Sequence, residues 1–218
     1  MLIGVVAGGV GVTTTINLQY VPQFLWMDTP AYPTLFQLNV VDDGTPINLD
    51  ATGMATVQMI GVYNNLSTGD RALLQIANGE IPKTKGVQLV VTNSNAAAFS
   101  IYGYSLNKGD TYVRYLPIPL LANSSNNIGK FAYLAMPSLA ATDIVNVTYE
   151  GGHVQQFNRE ELLMYNTIYE TGDGNPYYRL NNLRGNVKDV QLIVGAAQTV
   201  YKVDYQRAGN ATIANRTY

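Results

Sequence analysis

The chain has 218 residues, a formal net charge of −2 and a charged fraction of 13%, about half of what globular proteins usually carry. It has no cysteine, a single histidine and no run of basic residues, which excludes disulfides and cysteine metal sites and disfavours a dedicated nucleic-acid surface. So neutral a composition is typical of a protein covered by neighbouring subunits, or of a β-protein with uncharged polar loops.

The first twelve residues, MLIGVVAGGVGV, are apolar and lack both a positive region and a small-residue cleavage site. They are not expected to act as a signal peptide, and they are shorter than the ~20 apolar residues that span a bilayer. We expect residues 1–12 to form a flexible arm that lies on a neighbouring subunit or against the protein's own core. Contact with a membrane surface is the alternative.

The rest of the chain has the pattern of an all-β protein. Short runs rich in Val, Ile, Thr, Tyr and Phe alternate with clusters of Gly, Pro, Asn and Asp, and helical periodicity is nearly absent. The predicted strands are residues 13–20, 35–41, 57–63, 87–92, 98–105, 111–117, 131–136, 144–150, 154–157, 187–194 and 198–206.

One segment, NREELLMYNTIYE, breaks this pattern. Asn158 is followed three positions later by Glu161, the spacing of a capping box, in which two side chains satisfy the free backbone donors of a helix start. We therefore predict a helix of about two turns beginning after Asn158.

Two strands are nearly the same. VQLVV at residues 87–91 and VQLIV at residues 190–194 differ by one methylene group. Upstream of them, LNVVDDGTPINLD (38–50) aligns with VNVTYEGGHVQQFN (145–158) once a single residue is inserted. Weaker echoes link residues 16–25 with 130–139 and residues 99–105 with 200–206. Their common order along the chain indicates an internal duplication.

The aligned segments also share turn and capping signals. The acid-glycine pairs Asp43-Gly44 and Glu150-Gly151 each predict a turn with positive φ between two antiparallel strands. Asp50 in the first copy then aligns with the predicted cap Asn158 in the second.

We therefore predict an all-β fold of two tandem jelly-roll modules, each an eight-stranded antiparallel sandwich, with short helices in the loops. The first module spans residues 1–125, including the arm, and the second spans residues 126–218, with the polar segment 122–130 as connector. Strand number alone also fits an immunoglobulin-like sandwich, and the capped helix favours the jelly roll.

No catalytic constellation is present. The lone histidine, His153, is expected to be an exposed loop residue, and neither Ser94 nor Ser138 lies in a nucleophile elbow. The acidic pairs Asp42-Asp43 and Glu160-Glu161 are explained by turn and helix capping. The loop at 171–176 lacks the oxygen ligands of a calcium site. We predict no catalytic, cofactor-binding or metal-binding residues and no enzyme activity.

A resemblance to a known protein family suggests a function that the residues alone do not indicate. The segment DIVNVTYEGGHVQQFNREELLMYN (143–166), a hairpin followed by a capped helix, resembles the corresponding segment in major capsid proteins of tailless icosahedral bacteriophages with an internal membrane. Those proteins are tandem double jelly rolls. This chain departs from them in its small size and in lacking a basic N-terminal segment.

The resemblance implies a structural virion protein that forms homotrimers with a pseudo-hexagonal outline, since two modules in each of three chains give six similar barrels. It also implies contacts with neighbouring capsid subunits, possible contact of residues 1–12 with an internal membrane, and assembly in the host cytoplasm. The alternative is a carbohydrate- or ligand-binding β-sandwich, in which exposed tyrosines and Trp26 stack on sugar rings, although Trp26 is expected to be buried between Leu25 and Met27.

Overall fold

The computed structural model describes residues 1–57, 71–129, 133–135, 139–162, 164 and 187–209. The strands are β1 (Leu2–Val6), β2 (Thr13–Val21), β3 (Phe24–Asp28), β4 (Leu35–Val40), β5 (Gly44–Leu49), β6 (Arg71–Gln75), β7 (Ile81–Thr92), β8 (Phe99–Tyr104), β9 (Thr111–Leu120), β10 (Ser125–Asn127), β11 (Tyr133–Ala135), β12 (Ile144–Tyr149), β13 (Val154–Phe157), β14 (Val187–Ile193) and β15 (Gln198–Arg207). A helix, α1, spans Ala51–Val57.

Residue contacts divide the chain into two compact units. The first comprises Met1–Tyr115 and Tyr205–Tyr218, and the second comprises Leu116–Asp204. Each division point falls inside a strand, β9 or β15. The boundary between residues 125 and 126 that the sequence suggests stays a prediction.

The first unit is a jelly roll. Its described strands form two four-stranded sheets, in the orders β1-β8-β3-β6 and β2-β7-β4-β5. Strands one, eight, three and six of a jelly roll share one sheet, and strands two, seven, four and five share the other, so the observed order is the jelly-roll order. An immunoglobulin-like arrangement is therefore excluded for this unit.

The second unit repeats this order with β9 as its first strand. One sheet is β10-β14-β12-β13, and the other is β11-β15-β9. In jelly-roll numbering, β10-β14-β12-β13 are strands two, seven, four and five, and β11-β15-β9 are strands three, eight and one. The segment in which a sixth strand would fall, residues 165–186, lies outside the described residues.

The duplicated strands occupy equivalent places at the same register. Gln88 of β7 pairs with Asn39 of β4, and Gln191 of β14 pairs with Asn146 of β12. Period-two alternation turns the flanking residues inward, so Leu89 and Leu192 have no exposed surface. Each such leucine contributes about 1.5–3 kcal/mol through burial, which is why the repeated strands form the centre of both cores.

Both units place a capped helical segment after the hairpin, as predicted. In the first, the Gly53 N–H donates to Asp50 Oδ1 over 2.7 Å at the start of α1. In the second, the Glu161 N–H donates to Asn158 Oδ1 (3.0 Å) and the Asn158 N–H donates to Glu161 Oε2 (2.8 Å). Residues 159–162 and 164 are helical, and the remainder of the predicted helix lies outside the described residues.

The hairpin turns agree with the prediction in the first unit and correct it in the second. Gly44 has a φ of 78° and Asp42 a φ of 70°, the left-handed region that Gly and Asp tolerate. In the second unit the positive φ, 79°, belongs to Gly152 and not to Gly151. The turn of the second unit is longer, with Thr148 and Val154 as the last pair before it. The residue with positive φ therefore lies one position further along the chain.

Residues 24–28 and 71–75, which were not among the predicted strands, form β3 and β6, and the predicted arm and connector also contain strands. Residues 2–6 of the predicted flexible arm form β1 in the first unit's own sheet, where Leu2, Gly4, Val5 and Val6 pair with β8. The predicted connector contains β10, whose Ser125, Asn126 and Asn127 pair with β14. Conversely, Val57, predicted to begin a strand over 57–63, ends α1, and residues 58–63 lie outside the described residues.

Candidate assembly surfaces

A row of amide side chains crosses the outer face of the first unit's β2-β7-β4-β5 sheet. Gln88 pairs with Asn17 on one side and with Asn39 on the other. Gln88 Nε2 donates to Asn17 Oδ1 over 3.2 Å, and Thr45 Oγ1 donates to Asn39 Oδ1 over 2.8 Å. Gln88 and Asn17 are exposed, and Asn39 is half-buried. We call Asn17, Gln88 and Asn39 the first amide row.

The second unit has an equivalent row. Gln191 pairs with Asn127 on one side and with Asn146 on the other, and Ser125 Oγ donates to Gln191 Oε1 over 3.3 Å. Asn127 is exposed, and Gln191 and Asn146 are half-buried. We call Asn127, Gln191 and Asn146 the second amide row. The two rows have the same residue types on equivalent strands.

The sheets that carry these rows are almost free of charge. β2, β4 and β5 contain no Asp, Glu, Lys or Arg, and the charged residues of β7 are Lys83 and Lys85 near its start. In the second unit, β10, β12 and β13 also contain none, and Lys188 and Asp189 stand near the start of β14. Edge strands often carry charges that block unwanted pairing, yet β2 and β5, the edge strands of the first unit's described sheet, carry none. A neutral face instead suits contact with another protein surface, since no ion has to be desolvated.

At one end of the first unit Asn93, whose side chain is fully buried, joins the loop after β1 to the loop after β7. Its Nδ2 donates to Ala7 O over 2.8 Å and to Ala97 O over 2.9 Å, and its Oδ1 accepts from the Asn95 N–H over 2.8 Å. The neighbouring Ser94 hydroxyl donates to Tyr32 O over 2.8 Å. These bonds fix the loops after β1, β3 and β7 to one another.

The C-terminal end of β15 is held within the first unit by two acidic residues. Both carboxylate oxygens of Asp43 accept from the Gly209 N–H, over 3.2 and 3.0 Å. Arg207 Nε donates to Asp110 Oδ2 over 2.8 Å, and this bond lowers the pKa of the exposed Asp110 carboxyl. Sequence reasoning assigned Asp43 to capping its own turn and did not anticipate a partner 166 positions away.

Trp26 lies on the face of β3 opposite Leu25 and Met27, which corrects the prediction that it is buried. It is half-buried, because alternation along the strand sends its neighbours inward and Trp26 outward. Its ring lies against Tyr102 with centroids 5.2 Å apart. Because the two rings pack against each other, this arrangement does not favour the stacking of a sugar ring on Trp26.

The residues considered for chemistry are dispersed. His153 is exposed in the turn before β13, as expected, and its ring stacks on Tyr149 at 5.9 Å. Ser138 and residues 171–176 lie outside the described residues. Within the described ranges, no group of three or more His, Cys, Asp or Glu could hold a metal ion, and no helix is long and apolar enough to cross a membrane.

Comparisons with known proteins agree with the strand order. No family model matches the chain, and no curated protein sequence matches it. Its structure aligns with the major capsid protein P2 of bacteriophage PM2, with a TM-score of 0.64, 10% identity and coverage of 94% of this chain and 96% of that one. The chain shares the fold of a bacteriophage major capsid protein. The resemblance expected from residues 143–166 is thus confirmed at the level of the fold.

A chain from the atomic structure of Sulfolobus Turreted Icosahedral Virus also aligns. The TM-score is 0.48 and the identity 9%, with coverage of 92% of this chain and 87% of that one.

Proposed function

We propose that the chain is a structural virion protein, the major capsid protein of an icosahedral shell. The observation that carries the proposal is the presence of two jelly rolls with the same strand order and register in one chain. The alignment with PM2 protein P2 over nearly the whole of both chains supports it.

In this proposal three chains form a homotrimer with six similar barrels, and trimers tile the shell through contacts with neighbouring subunits. A pseudo-six-fold block covers a flat facet, and the differences between the two modules give it an orientation. The protein would belong to the virion and assemble in the host cytoplasm. We propose no catalytic, cofactor-binding or nucleic-acid-binding role for it.

The proposal also includes contact of residues 1–12 with an internal membrane. Since residues 2–6 are paired in a sheet, this contact would use the loop that follows, where the side chain of Val10 is 73% exposed. Liposome flotation of the wild type and Val10→Asp tests this part separately.

The test of the main proposal is native mass spectrometry of the purified chain, followed by electron microscopy after concentration. We expect a homotrimer as the smallest abundant species and sheets or shells at higher concentration. A chain that stays monomeric under both conditions would refute the capsid role. Binding on a glycan array by such a monomer would instead support a ligand-binding β-sandwich.

A further inference from the structure

The outer face of the first unit's β1-β8-β3-β6 sheet is apolar and aromatic. One row of paired residues begins at Leu2 on β1 and ends at Leu73 on β6, with Tyr102 and Trp26 between them. The adjacent row pairs Tyr104 with Phe24. Residues directly opposite each other on antiparallel strands share one side of a sheet, so these side chains form one surface. We call the six residues the aromatic face: Leu2, Phe24, Trp26, Leu73, Tyr102 and Tyr104.

The aromatic face is partly exposed in the chain. Tyr104 is 60% exposed and Leu2 is 52% exposed, and the other four residues are half-buried. Among the described outward side chains of this sheet, only Asp28, at one end, is charged. Contiguous apolar surface of this kind marks interaction sites, and Trp and Tyr are enriched in the cores of protein interfaces.

The equivalent place in the second unit is buried. β15 occupies there the position that β8 has in the first unit. Val200 belongs to the second unit's hydrophobic core, so alternation along the strand sends Tyr201 and Val203 to the outer face. Both are nevertheless buried, with exposures of 5% and 1%. Since segments 99–105 and 200–206 align with Tyr102 opposite Val203, one place is buried in the second unit and belongs to a partly exposed face in the first.

We propose that the aromatic face binds a second copy of this chain, through the second unit of that copy. This inference rests on the proposed capsid function and specifies which surface of the first unit meets the neighbour. In a ring of six similar barrels, equivalent faces have equivalent surroundings. The outer face at β15 is buried within the chain, whereas the aromatic face reaches the same state only when another copy covers it.

The ring also limits what the aromatic face can meet. First and second units alternate around it, so each first unit lies beside a second unit of another copy. Equivalent faces point the same way around a closed ring, which therefore joins unlike patches. The aromatic face accordingly meets a different surface of the second unit and not its own counterpart. β10, β12 and β13 of that unit contain no charged residue, so apolar rings can pack on such a surface without desolvating an ion.

Trp26 is a direct reporter for this contact, because it is the only tryptophan in the chain and lies on the aromatic face. Acrylamide quenching of its fluorescence is measured on the wild-type trimer and on the monomer. The monomer is obtained by dilution, or in urea below the unfolding transition where the trimer persists on dilution. Sedimentation velocity under the same conditions gives the state of assembly. We expect quenching to fall when the trimer forms, since a second copy then covers the indole ring.

Charged substitutions in the full chain test whether the face contributes to binding. Leu2→Asp and Tyr104→Lys place a charge on it. Leu121→Asp and Val41→Lys are the matched controls, because they introduce the same charges at residues outside the face that are 67% and 57% exposed. Thermal unfolding of each variant checks its fold. Tyr104→Lys carries the test alone if Leu2→Asp detaches β1.

We expect each face variant to raise the dissociation constant of the assembly at least about tenfold, because the introduced charge becomes buried without a partner. Trp26 should remain open to acrylamide in these variants at concentrations at which the wild type is trimeric. The control variants should assemble like the wild type and protect Trp26 as it does.

Two results would overturn the inference while leaving the capsid role intact. One is a wild-type trimer in which Trp26 is quenched as strongly as in the monomer, which would mean that the aromatic face stays uncovered. The other is a trimer that the face variants weaken no more than the controls do. A wild type that never assembles would refute the proposed function itself, and this inference with it.

Discussion

Replacing Asn93 with alanine tests how the loops of the first unit are held together. The side chain is fully buried and makes hydrogen bonds with three backbone groups, the carbonyls of Ala7 and Ala97 and the N–H of Asn95. Alanine removes all three bonds and leaves these groups without that partner. None of these three bonds belongs to a strand ladder, so the change is directed at the loop connections.

The expected cost follows from those three groups. A buried polar group left without a partner costs about 1–3 kcal/mol. Ala7 and Ala97 are exposed residues, so water can reach their carbonyls and the lower end of that range applies. The sum is about 3 kcal/mol. For a chain of this size it corresponds to a fall in melting temperature of about 6–12 °C.

Thermal unfolding followed by circular dichroism measures this change, with urea titration as a second measure. Asn107→Ala is the control, because Asn107 is an exposed loop residue and such substitutions usually stay within about 0.5 kcal/mol. If Asn93→Ala unfolds at the same temperature as the control, the side chain does not hold the loops and our reasoning is wrong.

Further predictions concern assembly, a helix cap and two titrating groups. The trimer should persist in about 1 M salt, since neutral packing leaves few ion pairs to screen, and dissociation by salt alone in sedimentation experiments would contradict this. Asn158→Ala should lower the free energy of unfolding by about 1 kcal/mol in urea titration, and an unchanged midpoint would show that the capping box contributes nothing. The Arg207 hydrogen bond lowers the pKa of Asp110, so any stabilisation from this pair exists above the ordinary Asp range and is lost as the pH falls. NMR titration should show that pKa rising in Arg207→Gln. Burial raises the pKa of Tyr112 to about 12, and in ultraviolet titration Tyr112→Phe should remove a late-ionising phenol.

The repeat could be predicted from the sequence because the patterns of inward-facing strand residues and of capping boxes depend on local spacing. The pattern at residues 87–91 and 190–194 predicted two equivalent central strands, and both lie in equivalent sheets at one register. The cap at Asn158 was predicted for the same reason, since its partner Glu161 is three residues away. Such signals need no knowledge of distant contacts.

Other elements could not be predicted from local spacing. β10 consists of Ser, Asn and Asn, residues with little β-propensity, and it is a strand because β14 supplies a partner about 66 positions later. β1 was assigned to an arm because the first twelve residues are apolar yet fit neither a signal peptide nor a membrane span, but β8 pairs with it. The outward position of Trp26 depended on the register of a strand that the sequence pattern did not reveal.

By itself, then, the sequence determined the all-β class, the duplication and the neutral character of the surface, since composition, period-two alternation and short-range capping fix these. Tertiary structure alone decided the jelly-roll strand order, the burial of Asn93, the partner of Asp43 and the alignment of amides into two rows. Each of these depends on hydrogen bonds between residues far apart in the chain, and local sequence does not specify which distant strand will be the neighbour.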